Sequence, residues 1–174
     1  MSEELFAALK AMEGEESESR TGNDKVNEAM IRHWCEAMQD ANPLYSNKDF
    51  AKASQYGGVI LPPTMVQAYC IPPLWPKIET PPDPLFKAVR TCVEAGYSAS
   101  LGISISYEFF HPLYPGDQIV YRIKFLAVSP QKTTRVGTGY FLTSQYSYYN
   151  QASMPICKQL LTVFQYKPDS QTRQ

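Results

Sequence analysis

At Tyr97 the residue pattern of this chain changes character. Beyond it, four runs rich in β-branched and aromatic residues follow one another, roughly 98–110, 119–128, 134–148 and 155–166. The connections Pro115-Gly116-Asp117, Ser129-Pro130-Gln131 and Tyr149-Asn150-Gln151 are short enough for hairpins or meander turns. Before Tyr97 the apolar residues recur instead at helical intervals. Helices first and strands after predicts an α+β layout, an antiparallel sheet with a helix packed into its curve.

Prolines limit that helix. Pro62 and Pro63 suit a helix start, whereas Pro72 and Pro73 forbid continuation, because each lacks an N–H and clashes with the preceding turn at a cost of roughly 3 kcal/mol. About two turns fit between them. The proline-dense stretch 75–84 then reads as extended until Asp83-Pro84 opens a second helix, 85–94, capped by Gly96. One long central helix is in effect broken in two. The break can leave an apolar and aromatic pocket lined by Met65, Tyr69, Leu74 and Trp75, or the detour can fold back and refill the space.

Upstream, residues 5–12 suit a short amphipathic helix and 13–23 an exposed connection. Val26, Met30, Trp34, Ala37 and Met38 predict a core-facing helix with Asn23 as N-cap, ending near Asp40 and closed by Pro43. A further short helix through Phe50, Ala51 and Ala53 is expected to stop at Gly57-Gly58. The resulting division is an N-terminal helix and linker (1–23), one domain (24–167) and a tail (168–174).

Composition excludes several classes of function. Sixteen basic residues face seventeen acidic ones, so no basic stripe is available for a nucleic acid. No run approaches the length of a membrane span, and the start lacks the apolar core of a secretory signal, so a cytoplasmic location is expected. Cys35, Cys70, Cys92 and Cys157 are widely spaced and read as free thiols, with neither a metal site nor a disulfide framework suggested.

The segment MQDANPLY, Met38 to Tyr45, resembles the signature of MaoC-like (R)-specific enoyl-CoA hydratases, Asp-x-Asn-Pro-x-His. Asp40, Asn42 and Pro43 match it; Tyr45 stands where that family has histidine, and Gln39 where it usually has glycine. The stretch His111 to Ile119 is similar to the Pro-x-x-Pro-Gly-Asp turn of the same group. With residues 23–45 and 57–69, the whole is similar to the N-terminal MaoC-like domain of the larger subunit of steroid side-chain enoyl-CoA hydratases.

The resemblance implies a hotdog fold, an antiparallel sheet wrapped around a shortened central helix. It implies an acyl-CoA substrate with no separate cofactor, CoA being part of the substrate. In the family the aspartate and histidine position and activate the water that adds to the double bond. A base works best with its pKa near the working pH, which histidine meets and tyrosine, at ~10, does not. Asp40, Asn42 and Tyr45 therefore read as a degenerate site, with Asp40 serving as a cap or turn residue.

A partner is then implied: a second hotdog chain bearing the Asp/His pair. The larger subunit commonly continues into a domain that recruits a thiolase-like aldolase; this chain, ending in KPDSQTRQ, reads as a shortened piece or a naturally short version. Gly57 and Gly58 either end a helix or flank the acyl-thioester tunnel. His33 reads as a helix-surface residue, His111 as a turn-end residue facing solvent or the partner, and the strand 140–149 as packing and interface. The alternatives are a self-sufficient homodimeric hydratase or thioesterase, and a non-enzymatic acyl-CoA-binding scaffold.

Overall fold

The computed structural model describes residues 2–73, 75 and 82–168. Helix α1 (Ser2–Ala11) leads to strand β1 (Arg20–Lys25), then α2 (Glu28–Met38), α3 (Pro43–Ser46) and α4 (Lys48–Ala53). A 3₁₀ helix (Pro63–Cys70) and α5 (Pro84–Glu94) follow, and then strands β2 (Ala99–Phe109), β3 (Gln118–Val128), β4 (Lys132–Thr134), β5 (Gly137–Tyr149) and β6 (Pro155–Pro168). The main sheet runs β1-β3-β5-β6-β2, with β4 beside β5 and every pairing antiparallel.

This order corrects the expectation of a simple meander. β3, β5 and β6 do follow one another across the sheet, but β2 crosses to the far side and pairs with β6, from Ala99 opposite Tyr166 to Phe109 opposite Cys157. Pro115-Gly116-Asp117 is therefore a crossover rather than a hairpin. Residues 13–23 are not simply an exposed connection either. β1 lies partly within them and pairs with β3, crossing the expected boundary at residue 24. Its composition, RTGNDK, carries no strand signal; Gly22 lets it pass close to the 3₁₀ helix, where a Cβ would meet the Tyr69 carbonyl at 3.0 Å.

The broken central helix is present and divides the interior. The first half is a 3₁₀ turn that buries Met65, Val66 and Tyr69; the second, α5, is capped by Asp83 and buries Leu85, Ala88 and Cys92 along one stripe. Beneath the 3₁₀ helix, Ile31, Leu61, Leu113, Ile119, Ile123 and Tyr148 form one core. Beneath α5, a second core gathers Leu5 and Leu9 of α1 with Phe125, Tyr140 and Leu142. The N-terminal helix thus packs into the domain.

Other boundaries shift by local capping chemistry. α2 is capped by Asn27, whose side chain accepts from the Met30 N–H at 2.9 Å, and not by Asn23, which reaches the Ile71 carbonyl instead. α4 stops at Ser54, whose hydroxyl donates to Ala51 O at 2.6 Å, before Gly57-Gly58 is reached. Among the described residues no helix is long and apolar enough to cross a membrane.

Candidate functional site

The signature segment is a run of caps. α2 ends with Gln39 in the left-handed region at φ 55°, a conformation that glycine adopts freely and other residues at a cost. That geometry explains why glycine is usual there. Asp40 next accepts the Asn42 N–H through Oδ1 at 3.0 Å, and Asn42 in turn caps α3 by accepting the Leu44 N–H at 3.1 Å. Pro43 sits at the first helical position. Asp40 remains exposed, with its Oδ1 engaged in the turn.

Tyr45, projecting one turn later, is half-buried against the core beneath the 3₁₀ helix. Burial pushes its phenol further above the ordinary tyrosine value and the neighbouring Asp40 charge adds to that, while a hydrogen bond with the Asn42 side chain offsets only part. Protonated, Tyr45 can donate a hydrogen bond but cannot take a proton from water.

Asp40 and Tyr45 stand between two grooves. One, of about 580 Å³, runs along α2 past Arg32, Cys35 and Glu36 to Lys48 and Val59. Four of its charged side chains are paired, Lys48 with Glu28 at 2.9 Å and Arg32 with Glu36 at 3.6 Å. The other, of about 610 Å³, passes Trp34, Met38, Pro62, Pro63, Thr64 and Phe109. Beyond Pro63 and Phe109 lies a third, smaller cavity of about 220 Å³, walled by Ile60, Leu61, Val66, Phe110, Leu113 and Ile156, with Tyr56 and His111 among its lining.

Two of the side chains expected to line a pocket behind the broken helix are core residues instead. Met65 and Tyr69 are 2 % and 1 % exposed, sealed in the first core, because the 3₁₀ helix presses them onto the sheet. Trp75 points away and is 86 % exposed, and Leu74 lies outside the described residues. Gly57, at φ +68°, and Gly58 lie between Tyr56 of the small cavity and Val59 of the first groove, with nothing within 4 Å of a Cβ at either.

His33 is an exposed α2 residue in contact with Glu36 at 3.2 Å. His111 is more informative. Its Nδ1 meets the Pro155 carbonyl at 2.8 Å; a carbonyl only accepts, so Nδ1 carries the hydrogen and the neutral ring keeps Nε2 as its acceptor. The four cysteines are free, and burial pushes the thiols of Cys70, Cys92 and Cys157 up to about 12. Among the described residues no cluster of His, Cys, Asp and Glu is placed to hold a metal ion.

Sequence reasoning missed the edge. The strand 140–149, expected to serve packing and interface, is β5, which lies between β3 and β6 with Tyr140 and Tyr148 buried. β2 is one of the two outer strands, with β1 at the other end, and on it Leu101, Ile103, Ile105 and Phe109 are 44–53 % exposed. The available signal was SLGISISYEFF, apolar at every second position with Ser100, Gly102, Ser104, Ser106 and Glu108 between.

A family model described as the FAS1-like dehydratase domain region matches residues 11–159. The chain belongs to this family. Like other FAS1-like, MaoC-like dehydratase domains it is a hotdog. It is 32% identical over 153 residues to the Thermomonospora curvata protein named probable enoyl-CoA hydratase alpha subunit, covering 87% of this chain and 48% of that one. To the 3-oxo-4,17-pregnadiene-20-carboxyl-CoA hydratase alpha subunit of Mycobacterium tuberculosis it is 27% identical, over 95% of this chain and 52% of that protein. The chain therefore spans about half the length of these curated relatives. A chain in the crystal structure of the ChsH1–ChsH2 complex from Mycobacterium tuberculosis superposes with a TM-score of 0.85 at 26% identity, over 97% of this chain and 92% of that one. The MaoC-like dehydratase of Rhodospirillum rubrum, at 18% identity, a TM-score of 0.60 and coverage of 90% and 94%, shares the fold.

Proposed function

We propose that this dehydratase-family domain is the substrate-binding, catalytically degenerate subunit of a heteromeric enoyl-CoA hydratase acting on a bulky, steroid side-chain enoyl-CoA. The observation that carries the reading is Tyr45. The signature loop keeps its caps, Asp40, Asn42 and Pro43, yet offers a half-buried phenol of raised pKa where a base is required. The loop has retained its shape without its proton acceptor.

The missing histidine then comes from a second hotdog chain, whose Asp and His activate the water while this chain supplies a wall of the acyl-thioester site. Two features support a partner. β2 is an 11-residue edge strand with Leu101, Ile103, Ile105 and Phe109 exposed, a surface that native sheets cover or pair. Similarity to hydratase alpha subunits, and to a chain of a two-component complex, points the same way. The steroid substrate rests on the pregnadiene-carboxyl-CoA hydratase relative. A thiolase-like aldolase enters as a partner only where the chain continues into a further domain. The near-neutral charge of −1 disfavours a nucleic acid.

Crotonyl-CoA and a steroid enoyl-CoA, each incubated with the purified chain and followed by loss of enoyl absorbance, should show background hydration only. Robust turnover by the lone chain, abolished by Asp40→Ala, would overturn the degenerate reading. Co-expression with a hotdog chain bearing an intact Asp/His pair should restore hydration, with higher kcat/KM for the steroid thioester; equal values for crotonyl-CoA would remove the steroid assignment.

A further inference from the structure

Val120 and Arg122 lie on the face of β3 opposite the core residues Ile119, Tyr121 and Ile123. A cavity of about 250 Å³ opens there, and it shares no lining residue with the grooves at Asp40 or the cavity at His111. Arg122 is its one charged side chain; Ser19, Val120, Tyr149, Asn150, Gln151 and Ser153 complete the wall. The strand register gives this exposed arginine no acid to pair with. Its neighbour on β5 is Ser147, and on the other side its Nε donates to Ser19 Oγ at 2.8 Å. Among the described residues its guanidinium makes no ion pair. Gln151 is fully engaged, its Oε1 accepting the Gln118 N–H and its Nε2 donating to Asp117 Oδ1, both at 2.9 Å. Asn150 Oδ1 accepts the Ala152 and Met154 N–H groups, each at 3.0 Å, so the amide keeps Nδ2 as a donor. Ser19 accepts from Arg122 and retains its own O–H, and the Tyr149 and Ser153 hydroxyls make no hydrogen bond among the described residues. The wall therefore offers the terminal nitrogens of Arg122, one amide nitrogen and three hydroxyls, and no carboxylate.

We infer that this cavity binds the phosphate monoester group of a small molecule. The free edge of a guanidinium presents parallel N–H donors, a geometry that phosphate and carboxylate oxygens accept bidentately. Donor number selects between the two. A carboxylate has two oxygens, whereas a phosphate monoester carries three strong acceptors and nearly two charges, enough to engage Arg122, Asn150 and the serine hydroxyls together. The surrounding charge favours the same ligand. Lys124 lies two residues along the same face of β3, and Lys158 stands beyond Ser147 on β6, two strand spacings or roughly 10 Å from Arg122. Glu16 stands opposite Lys124 and Glu108 opposite Lys158, so the acids of this face oppose the lysines and leave Arg122 between two serines. Asp117, behind Gln151, is held by the Tyr114 N–H as well, and Glu18 is outside the lining. Val120 and the Tyr149 ring give the organic part of the ligand an apolar contact. The inference stands independently of the hydratase reading, since it uses none of the residues of the signature loop.

The test titrates the full ¹⁵N-labelled chain with glycerol 3-phosphate at constant ionic strength, because salt screens an open site. Sodium acetate and sodium chloride serve as controls, and the N–H resonances of Arg122 Nε, Asn150 Nδ2 and the Ser153 backbone are followed. Glycerol 3-phosphate should give saturating shifts at all three, acetate should bind at least tenfold more weakly, and chloride should give no saturating shift. Arg122→Gln should weaken phosphate binding at least tenfold with the melting temperature unchanged, since Arg122 is exposed. Arg122→Lys should restore only part of the affinity, because an ammonium keeps the charge and lacks the fork. CoA and 3′-dephospho-CoA then separate the sources of the group. A stronger response to CoA at these resonances assigns the monoester to CoA's own 3′-phosphate, and equal responses, both weaker than that to glycerol 3-phosphate, assign it to a separate small molecule; either supports the site. Shifts that chloride reproduces, that survive Arg122→Gln, or that follow Lys124 and Lys158 without reaching Asn150 and Ser153 overturn it.

Discussion

Strands β2 and β5 are separated by a single strand, and both are long and rich in β-branched or aromatic residues. β5 has a hydrogen-bonded neighbour on each side, and its inward side chains Tyr140, Leu142 and Tyr148 are covered by the two halves of the broken helix. β2 pairs only with β6, carries a bulge between Gly102 and Ser104, and contributes to a described core cluster through Tyr107 alone. The lesson is that aromatic density does not reveal where a strand sits in a sheet. Tyrosines are concentrated on the central strand, while the exposed apolar side chains of the edge are leucine, isoleucine and phenylalanine.

The sharpest way to break this contrast is to remove one side chain from each strand's working face. Tyr140 is fully buried, its ring edge-on to Tyr97 at 5.2 Å, so Tyr140→Ala should cost about 3–5 kcal/mol in urea unfolding. A loss below about 1 kcal/mol would show that β5 is not held as described. Ile105, 53 % exposed, should behave in the opposite way. Ile105→Lys should leave the lone chain within about 0.5 kcal/mol of its parent. It should nevertheless weaken association with the co-expressed partner at least about a hundredfold, or about 2.7 kcal/mol. Unchanged association by sedimentation would move the interface away from β2.

The smallest expected effect concerns how α1 is tied to the second core. Glu13 accepts from Lys10 and from the Val128 N–H at 2.9 Å, and these bonds, the Lys10 one foremost, hold its carboxyl below the ordinary value of 4.5. A depressed folded pKa gives stability that is present above about pH 4.5 and lost as pH falls through the lower folded value. Because the pair is near the surface, Glu13→Gln should cost only a few tenths of a kcal/mol at pH 7 and flatten the fall of the urea midpoint between pH 5 and 3. A steeper fall in the variant would show the carboxylate to be unfavourable.

The helix breaks were legible because proline acts locally. Pro72 and Pro73 stop a helix in any environment, and Asp83-Pro84 and Pro62-Pro63 were readable as starts for the same reason. β1 was not legible, since RTGNDK becomes a strand only because β3 offers it an edge to pair with. That Met65 and Tyr69 fill the core was not legible, because whether a side chain lines a void or fills a core depends on the distance to the opposing sheet, which no spacing encodes.

By itself, the sequence determined the capped loop from Asp40 to Tyr45, the absence of a histidine there, the two half-helices and the four long strands. The missing histidine is plain residue identity, and the others follow from the conformational limits of one residue and its near neighbours in the chain. Only the tertiary structure decided that β2 crosses to the far edge, that the tyrosines of β5 are interior, and that Phe109, Phe110 and His111 meet Ile60 and Val66 around a cavity. Those outcomes depend on contacts between residues far apart in the chain, where burial and strand pairing outweigh local preference.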